Sequence, residues 1–122
     1  MITITIHGEY PSLNEYIAAS KIRCRNYNKG AAMKKANQSE ILAQLPRVQI
    51  SEPVRLHYRF YCRTRRRDLD NVSGYFHKVF QDALVQRGIL PDDSWQYVRG
   101  FTDDFYLDRE RPRIEIDIEV LT

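Results

Sequence analysis

Ile2, Ile4 and Ile6 alternate with Thr3 and Thr5, a period of two that predicts a half-buried strand ended by Gly8 and Pro11. Ser12 stands where a helix N-cap is needed, and Glu15 three residues on completes a capping box, so a helix is predicted through about Ser20. No period runs through Lys21 to Gly30, where Lys21, Arg23, Arg25 and Lys29 are interleaved with Asn26, Tyr27 and Asn28. That stretch predicts a loop or a broken helix. A second helix is predicted from about Ala31 to Leu45, with Met33, Ala36, Ile41 and Leu45 toward its apolar side and Lys34 and Lys35 opposite. Pro46 closes it.

Alternation returns after Pro53. Val54, Leu56, Tyr58, Phe60 and Cys62 predict the buried face of a strand whose other face carries Arg55, His57, Arg59, Tyr61 and Arg63. That second face reads as basic, either a solvated sheet surface or part of a nucleic-acid track. Val72, Phe76, Val79, Phe80, Ala83 and Leu84 form the stripe of a third helix, which Asp70 or Asn71 can cap and Gly88 can end. A third strand is predicted over Tyr97 to Phe105, and a last one where Ile114, Ile116, Ile118 and Val120 alternate with Glu115, Asp117 and Glu119. These elements predict a single small α+β domain over residues 1–122, a mixed sheet of about four strands with two to three helices.

Composition narrows the class. At 122 residues, 43% hydrophobic and 29% charged, the chain suits one soluble globular core. It lacks an apolar run of membrane-span length, and MITITIHGEY has neither the basic nor the apolar region of a signal peptide, so no membrane association and a cytoplasmic location are expected. Cys24 and Cys62 belong to no CxxC or Cys/His cluster and read as free thiols. The net charge of +3 hides an asymmetry: 13 Lys and Arg against 4 Asp and Glu through Arg67, then 6 against 12 from Asp68 on. An acidic pocket within a basic rim would suit an enzyme acting on nucleic acid.

The candidate chemistry lies between Arg65 and Asp93, in RRRDLDNVSGYFHKVFQDALVQRGILPDD. Asp68 and Asp70, placed on an extended segment, would point their carboxylates to one side. Two hard oxygen ligands suit Mg²⁺, which keeps the rest of its shell for water and phosphate. Asp92 and Asp93 follow the next helix, and folding could return one of them to the same ion. A calcium loop starting at Asp68 is excluded, because its positions 5, 6 and 12 are Val72, Ser73 and Val79. Lys78 pairs in sequence with Asp82 at i,i+4 and lies roughly 12 Å of helix rise from Asp70. It could stabilise a phosphate only by reaching back along the helix or if the helix starts later. His77 is offered as a base by residue type alone and reads as an exposed helix residue. Trp95 and Tyr97 could stack on bases, or pack in a core or interface.

DLDN at Asp68 to Asn71, then Lys78, DAL at Asp82 to Leu84 and GILPDDSWQYV resemble the RusA family of Holliday junction resolvases, most nearly its phage and prophage branch. YPSLNEYI, with Arg25, Asn26, Lys34 and Lys35 downstream, is similar to that family's N-terminal region, so the resemblance spans nearly the whole chain. Lys78 and DAL fall about one helical turn further from DxDN than in the best-known pattern. The resemblance implies a homodimeric, Mg²⁺-dependent endodeoxyribonuclease, with Mn²⁺ as a substitute, that nicks opposed strands of a four-way DNA junction in recombination and repair. It implies Asp68, Asp70 and Asp93 as metal ligands, Lys78 beside the scissile phosphate, and Lys21, Arg25, Lys34, Lys35, Arg65, Arg66 and Arg67 as the DNA track. A less selective nuclease of flaps or other branched DNA, and a non-catalytic DNA-binding dimer, remain open.

Overall fold

The alternating isoleucines near the N-terminus become β1 (Ile2–His7), with Ile4 and Ile6 buried. The computed structural model describes residues 1–122. Beyond β1 come α1 (Leu13–Ser20), β2 (Arg23–Cys24), β3 (Tyr27–Asn28), α2 (Lys29–Leu42), β4 (Val54–Cys62), α3 (Leu69–Arg87), β5 (Val98–Leu107) and β6 (Arg113–Val120). Four strands form a mixed sheet in the order β1-β6-β4-β5, antiparallel except for the parallel β4–β5 pair that α3 connects. The expected α+β class holds, with three helices on a four-stranded sheet.

α3 supplies the centre of the core. Its Phe76 ring meets Tyr58 and Phe60 of β4 edge-on at 6.1 and 5.9 Å, and Phe80 meets Tyr58 at 5.9 Å. Each aromatic ring buried in this way removes a large apolar area from water, which is the dominant favourable term in folding. α1 and α2 pack against α3, and one cluster of 24 buried residues joins helices to sheet. The capping box of α1 is present: Ser12 Oγ accepts from Glu15 N at 3.1 Å, and Glu15 Oε1 accepts from Ser12 N.

Three expectations are corrected. The segment read as a loop or broken helix holds a two-residue hairpin, β2 with β3, whose turn puts Arg25 at φ 53. α2 starts two residues early, at Lys29, because the Asn28 side chain caps it by accepting from Ala31 N at 2.9 Å. It ends at Leu42, although Leu45 beyond it is buried.

The third correction concerns the sheet face turned away from the helices. Its basic β4 residues lie opposite an acidic β6, with Arg59 in register with Glu115, His57 with Asp117 and Arg55 with Glu119. Arg59 bonds Glu115 at 3.1 Å and also Asp117, while His57 meets Glu119 and Thr102 at 2.8 Å each. Arg113, stacked over the Tyr61 ring, bonds Glu115 at 2.9 Å and Asp108 at 2.8 Å. The Arg113 guanidinium, with Arg59 behind it, holds Glu115 below the usual carboxylate range, and Arg59 does the same for Asp117. The face is charge-compensated, not a basic track.

Candidate active site and nucleic-acid surface

β4 ends at Cys62, and α3 begins seven residues later at Leu69, so everything from Arg63 to Asp70 sits at the C-terminal end of β4. Arg67 spans this loop from within: its Nη2 donates to Tyr10 O at 2.8 Å, and the guanidinium reaches Glu9 at 3.6 Å and Glu15 at 3.8 Å. It ties the loop to the segment after β1. Arg65 and Arg66 are exposed and make no ion pair.

Asp68 is not part of an extended pair with Asp70; it is the N-cap of α3, and Asp70 lies in the first helical turn. Asp68 Oδ1 accepts from Asp70 N at 3.3 Å and Oδ2 from Asn71 Nδ2 at 3.1 Å. The cap falls on Asp68, not on Asp70 or Asn71, because a side-chain oxygen at the residue before the helix can reach the N–H two residues on. Both carboxylates remain exposed beside the free N–H groups and positive end of a 19-residue helix. This end of α3 therefore offers oxygen donors for a hard cation and a favourable field for phosphate.

Gly88, at φ 81, ends α3 in the left-handed conformation that glycine adopts without strain. The turn beyond it brings Asp93 up to Asp82, one of the charges that act on it. Burial, then the Asp82 and Asp92 carboxylates, push the Asp93 carboxyl above its usual range, whereas bonding to Ser94 holds Asp92 below it. Lys34 Nζ bonds Asp82 at 2.9 Å, so this predicted DNA contact is engaged by a carboxylate. Asp82 is 12 residues beyond Asp70, about 18 Å of helix rise at ~1.5 Å per residue. Strand register agrees: Val54 pairs with Val98 at one end of β4 and Cys62 with Leu107 at the other, about 26 Å apart at ~3.3 Å per residue. Asp93 belongs to the first end, Asp68 and Asp70 to the second. One chain brings Asp68 and Asp70 together and leaves Asp93 apart; nowhere do three His, Cys, Asp or Glu side chains gather as a metal would need.

The other candidates divide. Lys78 is exposed on α3 between the two acidic ends, bonded to neither. Lys21, Arg25 and Lys35 are exposed on α1's end, the hairpin turn and α2. His77, expected to be exposed, is largely covered: its ring lies 4.4 Å from those of Tyr58 and Phe101, and Nε2 meets Asp103 at 2.6 Å. That nitrogen is committed to the sheet. Trp95 is 86% exposed, which removes the core reading for it. Cys24 is exposed and Cys62 buried, and burial pushes the Cys62 thiol up. Sequence reasoning missed the pairing of Asp82 with Lys34 and the company Asp82 keeps with Asp93. Only the i,i+4 spacing of Lys78 and Asp82 and the DAL triplet of the family resemblance had singled that residue out.

A paired carboxylate at a helix N-terminus, next to unpaired arginines on a small α+β fold, is compatible with an enzyme acting on phosphodiesters. The family model for endodeoxyribonuclease RusA matches residues 9–119, and the chain belongs to that family. A search among curated proteins finds no match. No helix is long and apolar enough to cross a membrane.

Proposed function

We propose that this endodeoxyribonuclease is Mg²⁺-dependent and resolves four-way Holliday junctions by paired nicks during recombination and repair, as a homodimer whose two active sites are each shared between protomers. The observation that carries the shared site is the separation of Asp93 from Asp68 and Asp70 by the length of α3. A second copy, running antiparallel along this helix, would complete the trio. A two-fold axis does this twice, so that Asp68 and Asp70 of each chain meet the Asp93 carboxylate of the other.

The donor set suits Mg²⁺ or, in its place, Mn²⁺: all oxygen, all carboxylate, and all three exposed, which leaves coordination positions for water and phosphate. When bound, the ion would supply Lewis-acid polarisation of the scissile phosphate and activation of the attacking water. The chain's own groups do the rest. The N-terminal turn of α3 directs N–H groups and its dipole toward a phosphate, and Lys78 offers a cation on the exposed side of that helix. Arg65 and Arg66 add fixed positive charge next to the carboxylates, which favours a polyanion and opposes its release.

The test is cleavage of a labelled four-way junction with Mg²⁺, with Mn²⁺, with EDTA, and by Asp70→Asn protein. Symmetric paired nicks that require both the ion and Asp70 are expected. Tight binding by a folded protein with no cut in either metal would overturn the proposal.

A further inference from the structure

Arginines in this protein are treated in two ways. On the open sheet face Arg59 and Arg113 are each bonded to two carboxylates. At the C-terminal end of β4, Arg63, Arg65, Arg66 and Arg109 line one cleft of about 760 Å³ with Thr64 and Leu107. Of these four, Arg65, Arg66 and Arg109 have no ionic partner, and Arg63 only reaches Glu9 at 3.8 Å. Three of the arginines come from the loop before α3, but Arg109 comes from the turn between β5 and β6, more than forty residues further along.

That turn is built to hold its shape. Asp108 Oδ1 accepts from Glu110 N at 3.2 Å and Arg111 N at 3.0 Å, and Oδ2 accepts from Arg113 at 2.8 Å. The bond from the Arg111 N–H, followed by that from the Arg113 side chain, holds the Asp108 carboxyl below its usual range. The one acid adjacent to Arg109 on its N-terminal side is thus spent on the turn and cannot neutralise it. Four guanidiniums lining one space repel each other, and Glu110, the acid next to Arg109 on its other side, is ion-paired with none of them, so an anionic guest would relieve the repulsion. Two banks of arginine across an open cleft suit a chain of phosphates better than a single one, since each planar fork can take its own phosphate oxygens.

We propose that Arg109 is a DNA-backbone contact, closing against Arg63, Arg65 and Arg66 on phosphates of the strand that leaves the Asp68–Asp70 site. The placement follows from chain connectivity, since Arg66 is two residues from Asp68. This inference rests on the nuclease reading above and adds to it a grip formed by the β5–β6 turn. It also removes Arg67 from that grip, because its guanidinium is bound to Tyr10, Glu9 and Glu15.

Binding of a fluorescent four-way junction by Asp70→Asn protein, followed by anisotropy across a sodium chloride series, tests it. Adding Arg109→Ala should weaken binding about tenfold near 0.15 M salt and lower the slope of log K against log salt by about one. Arg109→Lys, which keeps the charge, should restore the slope. Unchanged affinity and slope in Arg109→Ala would overturn the inference while leaving the nuclease reading intact. If Asp70→Asn protein with Arg109 in place holds no junction, the nuclease reading fails instead. The cleft is then judged by titrating inorganic tripolyphosphate against the arginine Nε–Hε NMR signals. A shifted signal that Arg109→Lys abolishes supports the cleft, and unmoved signals overturn it.

Discussion

Asp68 carries two duties that one pair of substitutions can separate. As N-cap of α3 it accepts from Asp70 N at 3.3 Å and from Asn71 Nδ2 at 3.1 Å. α3 is the helix on which Phe76 and Phe80 close the core, so loss of the cap frays the element that most of the fold leans on. Replacing an N-cap Asp with Ala costs about 1 kcal/mol. The bonds here are long and the site exposed, which argues against the upper end of that range. For a chain of this length about 1 kcal/mol lowers Tm by roughly 4 °C. Asn is an equally good cap but cannot offer an anionic oxygen to a cation. Asp68→Asn should therefore melt within about 1 °C of the unaltered protein and lose junction cleavage, whereas Asp68→Ala should lose both stability and cleavage. Circular dichroism melts in EDTA, paired with Mg²⁺-dependent cleavage of a labelled junction, read both. Equal destabilisation by Asn and Ala would refute the capping argument, and full cleavage by Asp68→Asn would refute the ligand role.

The compensated sheet face makes stability depend on acid. Glu115 and Asp117 are held below their ordinary range, so the stability they contribute is complete above the unfolded carboxylate pKa values near ~4 and is lost as pH falls through the folded ones. Arg59→Met should cost about 1 kcal/mol at pH 7, these side chains being partly exposed, and the gap in Tm from the unaltered protein should close below about pH 4. A gap that does not change between pH 7 and pH 3 would contradict this. Gly30 in α2 has Ser20 against it: an added Cβ would lie 2.8 Å from Ser20 N and Cα and 2.1 Å from its Oγ. Gly30→Ala should therefore lose about 2 kcal/mol in urea denaturation even though alanine favours helix, and a stabilised variant would show that α1 and α2 can part without cost.

Patterns that act locally were legible in the sequence. Alternation located β1, β4 and β6, the Ser12–Glu15 capping box started α1, and Gly88 ended α3, because each depends on residues within one turn or one pleat of each other. The Arg23–Asn28 hairpin escaped because two-residue strands have no period to detect, and its turn is made by Arg25 at positive φ without a glycine. The basic face of β4 could be read as a solvated sheet surface or as part of a track, because nothing local shows that the acidic strand β6 will lie beside it; that is a fact of register over more than fifty residues. The site divides in the same way. Asp68 and Asp70 could be singled out from spacing, but reading them as an extended pair ignored that an aspartate before an amphipathic run tends to cap it. Asp93 follows α3, and folding could have returned it to the same ion, but the rigid length of α3 carries it to the other end of the sheet.

The central claim, two active sites each drawn from two chains, is tested most directly by mixing two defective proteins. Asp70→Asn and Asp93→Asn, carrying different affinity tags and co-expressed, should give homodimers that do not cut. In the heterodimer, a shared site places both lesions together and leaves the other site with Asp68, Asp70 and Asp93 whole. The tag-selected heterodimer should therefore nick one strand of the junction, without the paired second cut. A heterodimer as inert as its two parents would contradict the account and place all three aspartates of a working site on one chain.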